Sequence, residues 1–271
     1  MPYLPWISRP RTSTKYTYGC NSAIARAILR RAWLPLSMVL SLTLSRCSTI
    51  LVADRDLPIP NKSVVLTFDD GPNDSDSTTL RLLHVLSKHN ALAYFCVIGQ
   101  NARQAPEVVR KILSDGHVVV NHCYHDQWLL FRSKDEIENE IVLFDSVMQT
   151  IGPGTTPLSS YLRPPYGVYP ISLKRILKKR DMHLLPVSFY ARDAEVKPNG
   201  KSRVLERTCV EIFRRKRAIV VFHDGKDSYQ KRQRELLSSR DSKYNRKWVP
   251  EIVDSLLTRM ETEGYTTVLV P

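Results

Sequence analysis

From residue 62 onward, short apolar runs rich in β-branched residues alternate with amphipathic stretches. The runs are 63–68 (SVVLTF), 92–97 (LAYFCV), 117–121 (HVVVN), 159–162 (SSYL), 184–188 (LLPVS), 218–222 (AIVVF) and 266–270 (TTVLV). Runs of that length, bounded by polar or turn residues, read as strands. Between them lie stripes at helical spacing: Val108, Val109, Ile112 and Leu113; Ile137, Ile141, Phe144 and Met148; Ile252, Leu256 and Met260. Strands alternating with helices in this way predict an α/β architecture, a parallel sheet with helices packed outside it. An open doubly wound sheet and a closed barrel both satisfy the pattern. In either, the groups that do chemistry stand at the C-terminal ends of strands.

The polar residues obey that rule. "LTFDDGP" (66–72) ends the first strand, "NHCYHD" (121–126) the third and "LRPPYG" (162–167) the fourth. "YARDA" (190–194) follows the fifth and "VFHDG" (221–225) ends the sixth. Titratable side chains therefore gather at one end of several strands, which a random surface would not arrange.

The first sixty residues read differently. "ARAILRRAWLPLSMVLSLTLSRCSTILVA" (25–53) has a basic start and then an apolar run from Trp33 to Leu44, which Arg46 follows. A membrane span needs about 20 uninterrupted apolar residues, whereas a secretory segment needs only about 7–15 after a positive start. The second description fits better. "LSRC" (44–47) is similar to a bacterial lipoprotein box, but Arg46 beside Cys47 argues against processing there. The expected organisation is a basic leader with a signal- or anchor-like segment over 1–53, a Pro-containing linker over 54–61 and one domain over 62–271. The expected location is exported or membrane-tethered, outside the cytoplasm.

Composition adds limits. Apolar residues make up 42% of the 271 and charged residues 25%, a globular balance. The net charge is +13, of which residues 1–56 contribute +6 and the remainder +7. The clusters "KRILKKR" (174–180) and "RRKR" (214–217) read as solvated helix faces, with attraction to an anionic envelope polymer or lipid surface as the sharper alternative. A nucleic-acid partner is not expected, because no basic motif interleaved with aromatics is present. Cys20, Cys47, Cys96, Cys123 and Cys209 form neither a CxxC pair nor a dense disulfide framework, and Cys96 reads as core.

Adjacent Asp69 and Asp70 at a strand end point to opposite sides, since side chains alternate there. They suit two jobs, metal ligand and base; the plainer reading is turn chemistry. His122 and His125 with one of these aspartates make an Asp-His-His set, which with an open position is a catalytic zinc arrangement. Such a metal acidifies water and polarises a carbonyl. His223 is placed to protonate a leaving group, Arg163 to orient a carboxylate and Asp193 to fix the tautomer of His223. His84 and His89 fall on a predicted helix, and His117 and His183 at strand edges, where structural roles are expected. The set describes metal-assisted hydrolysis of an acyl bond.

The stretch from Val64 to Asp126 resembles the polysaccharide deacetylases, the NodB-homology group of carbohydrate esterases. "TFDDGP", "FCVIGQNA" and "GHVVVNH" at these separations carry the likeness, which extends over about 62–271. The resemblance implies a distorted (β/α)7 barrel. It implies Asp69 as general base, Asp70, His122 and His125 as metal ligands, and Arg163 as the residue positioning the base. It also implies His223 as general acid, Asp193 as its tuning partner, and the Tyr166 amide as an oxyanion donor. The implied cofactor is a divalent metal, zinc first and cobalt or nickel as alternatives. The implied substrate is an acetylated glycan carrying N-acetylglucosamine-type residues.

Two departures from the family pattern stand out. The family spaces its histidine ligands four apart; "HCYH" spaces them three apart, with Asp126 in the fourth place and an alternative oxygen ligand. "YARDA" has Tyr190 and Ala194 where the family's fifth-strand motif has Asp and Trp. The basic segment 225–251, beside His223, is expected to contact an anionic or extended substrate, or to be a solvated insertion. Rival readings are an O-acetyl esterase or small amidase on the same scaffold, and a non-catalytic glycan-binding protein, which only the shortened histidine motif favours.

Overall fold

A computed structural model describes residues 48–49, 59–74, 77–152, 160–225 and 245–270. The chain divides into two units, Met1–Ser45 and Arg46–Pro271, and the fold is that of the second. The expected leader up to residue 47 and residues 226–244 of the basic segment lie outside the described residues. No helix among the described residues is long and apolar enough to cross a membrane.

The strands are β1 (Ser63–Gly71), β2 (Ala93–Val97), β3 (Val118–Asn121), β4 (Tyr161–Leu162), β5 (His183–Leu184), β6 (Phe189–Tyr190), β7 (Arg217–His223) and β8 (Thr266–Thr267). The main helices are α1 (Thr78–Lys88), α2 (Gly99–Gln104), α3 (Pro106–Ser114), α4 (Lys134–Ile151), α5 (Ile171–Lys179), α6 (Lys201–Arg215) and α7 (Val249–Thr262). All pairings in this sheet are parallel, in the order β5-β4-β3-β2-β1-β7-β6. β8 joins β1 at Ser63–Val64, ahead of the point where β2 takes over at Leu66. Ser48–Thr49 pairs antiparallel with Val168–Tyr169.

That order forces curvature. β5 and β6 are opposite edges of the path, yet only Leu185–Ser188 separate them in sequence. Five residue steps reach at most about 18 Å, whereas six strand spacings in a flat sheet span about 29 Å. The sheet therefore curls until its edges nearly meet, a barrel with one unsealed seam. The sequence pattern placed one strand over 184–188; Pro186 in its middle interrupts the ladder and leaves two short strands on either side of the seam.

The strand pattern fixes the two faces. On β1, Val64, Leu66 and Phe68 point outward and pack with Leu82, Leu83 and Leu86 of α1 and Val253, Leu256 and Leu257 of α7. Val65 points inward with Tyr94, Cys96, Val120, Leu185 and Ile219. Ile59, in the stretch expected to be a linker, is buried in this inner cluster, and Arg217 donates to its carbonyl at 3.2 Å. The helices carry ordinary start signals: Pro106 opens α3, and Ser133 and Glu136 form a reciprocal capping box on α4.

Candidate active site

Alternation along β1 turns Val65, Thr67 and Asp69 to the concave side, and would turn Asp70 to the helices. It does not, because the pairing with β2 slips between Asp69↔Cys96 and Gly71↔Val97. Asp70 is the extra residue of this bulge, with φ 72°. A bulge re-aims a side chain, so the two adjacent carboxylates serve one site instead of opposite faces. Asn101 Nδ2 donates to the Asp70 carbonyl at 2.9 Å and holds the bulge. Gly225 is required where β7 ends: a Cβ there would lie 2.2 Å from the Asp70 carbonyl oxygen. Asp70 in this bulge, and Cys123, Tyr166 and Arg192 in the connections after β3, β4 and β6, all have positive φ at this end of the sheet.

Asp69 and His223 are register partners on neighbouring parallel strands. Each has a buried partner of its own. Arg163, 1% exposed, donates from Nη1 to Asp69 Oδ1 at 2.8 Å and to Thr67 Oγ1 at 2.6 Å, and from Nη2 to the Pro186 carbonyl at 3.1 Å. Asp193, fully buried, accepts from the His223 amide at 2.8 Å and from His223 Nδ1 at 2.9 Å. The carboxylate fixes the Nδ1–H tautomer and leaves Nε2 for the site. Burial opposes a charge on His223, but Asp193, then Asp70 and Asp69, more than reverse this and raise its pKa to about 9. Asp193 is held below the usual carboxylate range: burial resists ionisation and the His223 imidazolium overcomes it.

His122 is buried at the end of β3. Its Nδ1 lies 2.5 Å from the Arg163 carbonyl, which can only accept, so the proton is on Nδ1. Nε2 then faces Asp70 Oδ1 at 3.3 Å. Two lone-pair groups at that distance call for a cation between them, either a proton or a metal. With a proton there, His122 is raised: burial opposes the charge, and the Asp70 hydrogen bond, the charges of Asp69 and Asp70 and the Arg163 carbonyl together outweigh it. Asp70 is lowered, since His122, His223 and Arg246 together outweigh its burial. The pair has the donor chemistry of two metal ligands, one carboxylate and one imidazole oriented through its far nitrogen.

His125 is not in that arrangement. Its side chain is 46% exposed, and its Nδ1 donates to Glu140 Oε1 at 2.9 Å while its amide donates to Glu140 Oε2 at 2.8 Å. Gln127 Nε2 adds a third hydrogen bond to Glu140 at 2.7 Å. Among the described residues, no group of three or more His, Cys, Asp or Glu side chains comes together closely enough to hold a metal ion. Asp70 and His122 thus fit a divalent cation, and the full Asp-His-His set does not fit it as arranged. The shortened loop is shaped by Asn121 Oδ1, which accepts from the Cys123 amide at 2.8 Å. The Cys123 and Tyr124 carbonyls accept from the Gly99 and Gln100 amides, both at 2.9 Å. Cys123 is buried in an apolar cluster with Leu129, Ile137 and Ile141, and burial pushes its thiol well up.

Tyr166 sits in the turn Pro165–Gly167 at φ 60°, ψ 4°, with its side chain half exposed. Of the other histidines, His84 and His183 are exposed, His117 is buried against Phe95, and His89 ties α1 to Asp254 and Glu261 of α7.

Three site residues escaped the sequence pattern. Glu140 is a buried acid beside Ile141 in the α4 stripe, an anomaly that could have marked it. Arg246, buried, donates to the Asp193 carbonyl at 2.7 Å and lies within electrostatic reach of Asp70. Asp224, buried, accepts from Thr79 Oγ1 at 2.6 Å, and its Oδ2 would lie 2.3 Å from a Cβ on Gly71.

Comparison with known proteins agrees. Residues 57–185 match the polysaccharide deacetylase family. The chain is 37% identical over 110 residues to a peptidoglycan-N-acetylglucosamine deacetylase of Bacillus cereus, covering 41% of this chain and 38% of that one. It is 31% identical over 180 residues to a chitooligosaccharide deacetylase of Bradyrhizobium, covering 66% of this chain and 78% of that protein. The fold superposes on the crystal structure of a peptidoglycan N-acetylglucosamine deacetylase with a TM-score of 0.65 at 21% identity, over 87% of this chain and 94% of the other. With a curled parallel sheet, strand ends that carry these carboxylates and imidazoles, and a relative matched over most of its length, the chain belongs to the polysaccharide deacetylase family, the NodB-type (β/α)7 hydrolases.

Proposed function

We propose that the chain removes N-acetyl groups from N-acetylglucosamine-type residues of a polysaccharide or oligosaccharide, chitin-like or peptidoglycan. One observation carries the reading: Asp69 and His223 stand level on adjacent strands, each tied to its own buried partner. A base and an acid so placed can act on opposite sides of one amide. Asp69, oriented by Arg163, takes a proton from the attacking water. His223 gives its Nε2 proton to the departing nitrogen as the carbon–nitrogen bond breaks. The products are acetate and a free amine. The Tyr166 amide is the proposed donor to the oxyanion. A divalent cation, zinc first with cobalt or nickel as alternatives, would be held by Asp70 and His122, and His125 is the proposed third ligand. When bound it polarises the carbonyl and acidifies water.

The relatives named for peptidoglycan and the basic, apolar leader both support a place outside the cytoplasm, at the cell envelope. The exposed turn of His125 toward Glu140 favours a second reading, a glycan-binding protein without activity. Acetate release from N-acetylglucosamine oligomers by the full chain, after chelation and again with zinc restored, separates the two. Zinc-dependent release that Asp69→Asn abolishes supports the enzyme. No release under either condition supports the binding protein.

A further inference from the structure

The two basic clusters of the sequence meet different fates in the fold. In 214–217 three of the four charges are answered: Arg214 donates to Glu211 at 2.5 Å and Arg215 at 3.0 Å, and Arg217 donates to the Ile59 carbonyl at 3.2 Å. In 174–180 only Arg180 meets an acid among the described residues, Asp145 at 3.6 Å. Lys174, Arg175, Lys178 and Lys179 are exposed on α5, a helix without an acidic residue, and none has an ion-pair partner among the described residues.

Helix stability does not account for this pattern. Lys174 and Lys178, and Arg175 and Lys179, are like charges one turn apart, which weakens a helix. The helix dipole favours Lys178 and Lys179 in the last turn, but not Lys174 and Arg175 nearer the start. Nor is the face purely charged. Ile171, 49% exposed, shares it at helical spacing with Lys174, Arg175 and Lys178. Along the helix runs a cleft of about 280 Å³, lined by Lys174 and Lys178 together with Leu177, Met182 and Leu184, with Asp181 as its acid. Cations thus alternate with accessible apolar groups. The pairing of Ser48–Thr49 with Val168–Tyr169 also fastens the chain that follows the apolar run ending at Leu44 beside the start of α5.

We propose that α5 lays this face on an anionic lipid surface, with headgroup phosphates as counter-ions to the four unpaired cations. Lysine stems lie along an apolar boundary while their ammonium groups reach the phosphates, and Ile171 enters the boundary itself. A soluble polyanion would meet the cations equally well but gains nothing from an exposed isoleucine. The inference does not rest on the deacetylase reading: it concerns where the chain works, not which bond it cuts.

The test is flotation of the full chain with vesicles of phosphatidylcholine alone, and of phosphatidylcholine with about one-third phosphatidylglycerol. The chain should bind the second far better than the first. The combined Lys174→Gln, Arg175→Gln, Lys178→Gln and Lys179→Gln variant should bind them about a hundredfold more weakly, each cation near a surface being worth about fivefold. A control carrying Lys88→Gln, Lys111→Gln, Lys134→Gln and Lys201→Gln loses the same charge from ion-paired positions on other helices and should lose far less. Both should unfold in urea near the parent's midpoint, since exposed charges contribute little to stability. Ile171→Ser should weaken vesicle binding about tenfold and leave binding of polyphosphate, a soluble polyanion, unchanged. Equal losses in the two fourfold variants would mean that net charge alone acts, and overturn the proposal; so would vesicle binding that survives in the α5 variant. Vesicle binding indifferent to Ile171, with polyphosphate held by the same four cations, overturns the lipid surface in favour of a polyanion.

Discussion

Asp69 and His223 stand on paired strands, and the Arg163 and Asp193 side chains that fix them are sealed from water. His125 stands on a loop, half exposed, with its ring nitrogen and its amide both taken by Glu140. The first region inherits its geometry from the hydrogen-bond ladder of the sheet, where a residue's level and face are set by register. The second takes its geometry from side-chain contacts that a change of one residue can redirect. The two groups proposed as base and acid are therefore held by the sheet, and the proposed third metal ligand is held by a loop.

That contrast can be broken most severely at the base. Asp69→Asn should lower the rate of acetate release by about 10²–10⁴-fold. Arg163→Ala should cost about 3–5 kcal/mol in urea unfolding, because it strands a buried carboxylate.

The contrast is sharpened by zinc affinity, measured by competition with a chelating dye. His122→Ala should weaken binding by about a hundredfold or more, since even an outer partner of a ligand is worth about 10–100-fold. His125→Ala should weaken it by about tenfold or less if the loop keeps the contacts it shows here. Equal losses would show that His125 turns from Glu140 to meet the metal, and the two regions would then be alike.

A smaller effect is expected in the pH profile. His223 is raised to about 9 in the fold from an ordinary 6.5, so its acid form persists to about pH 9 and the rate should fall above that. The stability it contributes is complete below 6.5 and fades as pH rises through about 9. Asp193→Asn removes the main charge holding it up, and the alkaline limb of kcat should move down toward 6.5. An unmoved limb would assign that ionisation to another group. Smallest is Glu140→Gln, which keeps the shape but sets an amide against donors. A loss of about 1–2 kcal/mol in urea unfolding is expected.

What the sequence made legible follows the same division. The strand runs and the polar residues at their ends placed Asp69, Asp70, His122, Arg163, Asp193 and His223 at one end of a parallel sheet, because period and connection rules act through the backbone. The bulge at Asp70 was not legible: period-two alternation sent the two carboxylates to opposite faces, and only the slipped pairing with β2 brings them together. Nor was the division of 184–188, since Leu184, Leu185 and Val187 satisfy a strand pattern that Pro186 breaks. Glu140 shows in the sequence only as an acid within the apolar stripe of α4, whereas Arg246 reaches Asp193 from 53 residues away, through a contact that no local pattern encodes. The direction of the His125 ring belongs to the same class.

Arg163 also bears on how the molecule acquires its activity. One guanidinium reaches Thr67 and Asp69 on β1 and the Pro186 carbonyl in the segment that spans the open seam. The group that holds Asp69, the proposed base, is thus also the clasp between the two edges of the sheet. On the proposed reading, a chain whose edges have not yet met has no oriented base, and acetate release would report closure of the barrel as well as chemistry. During refolding, activity should return with the final docking of β5 and β6 and not with the earlier growth of helix and sheet.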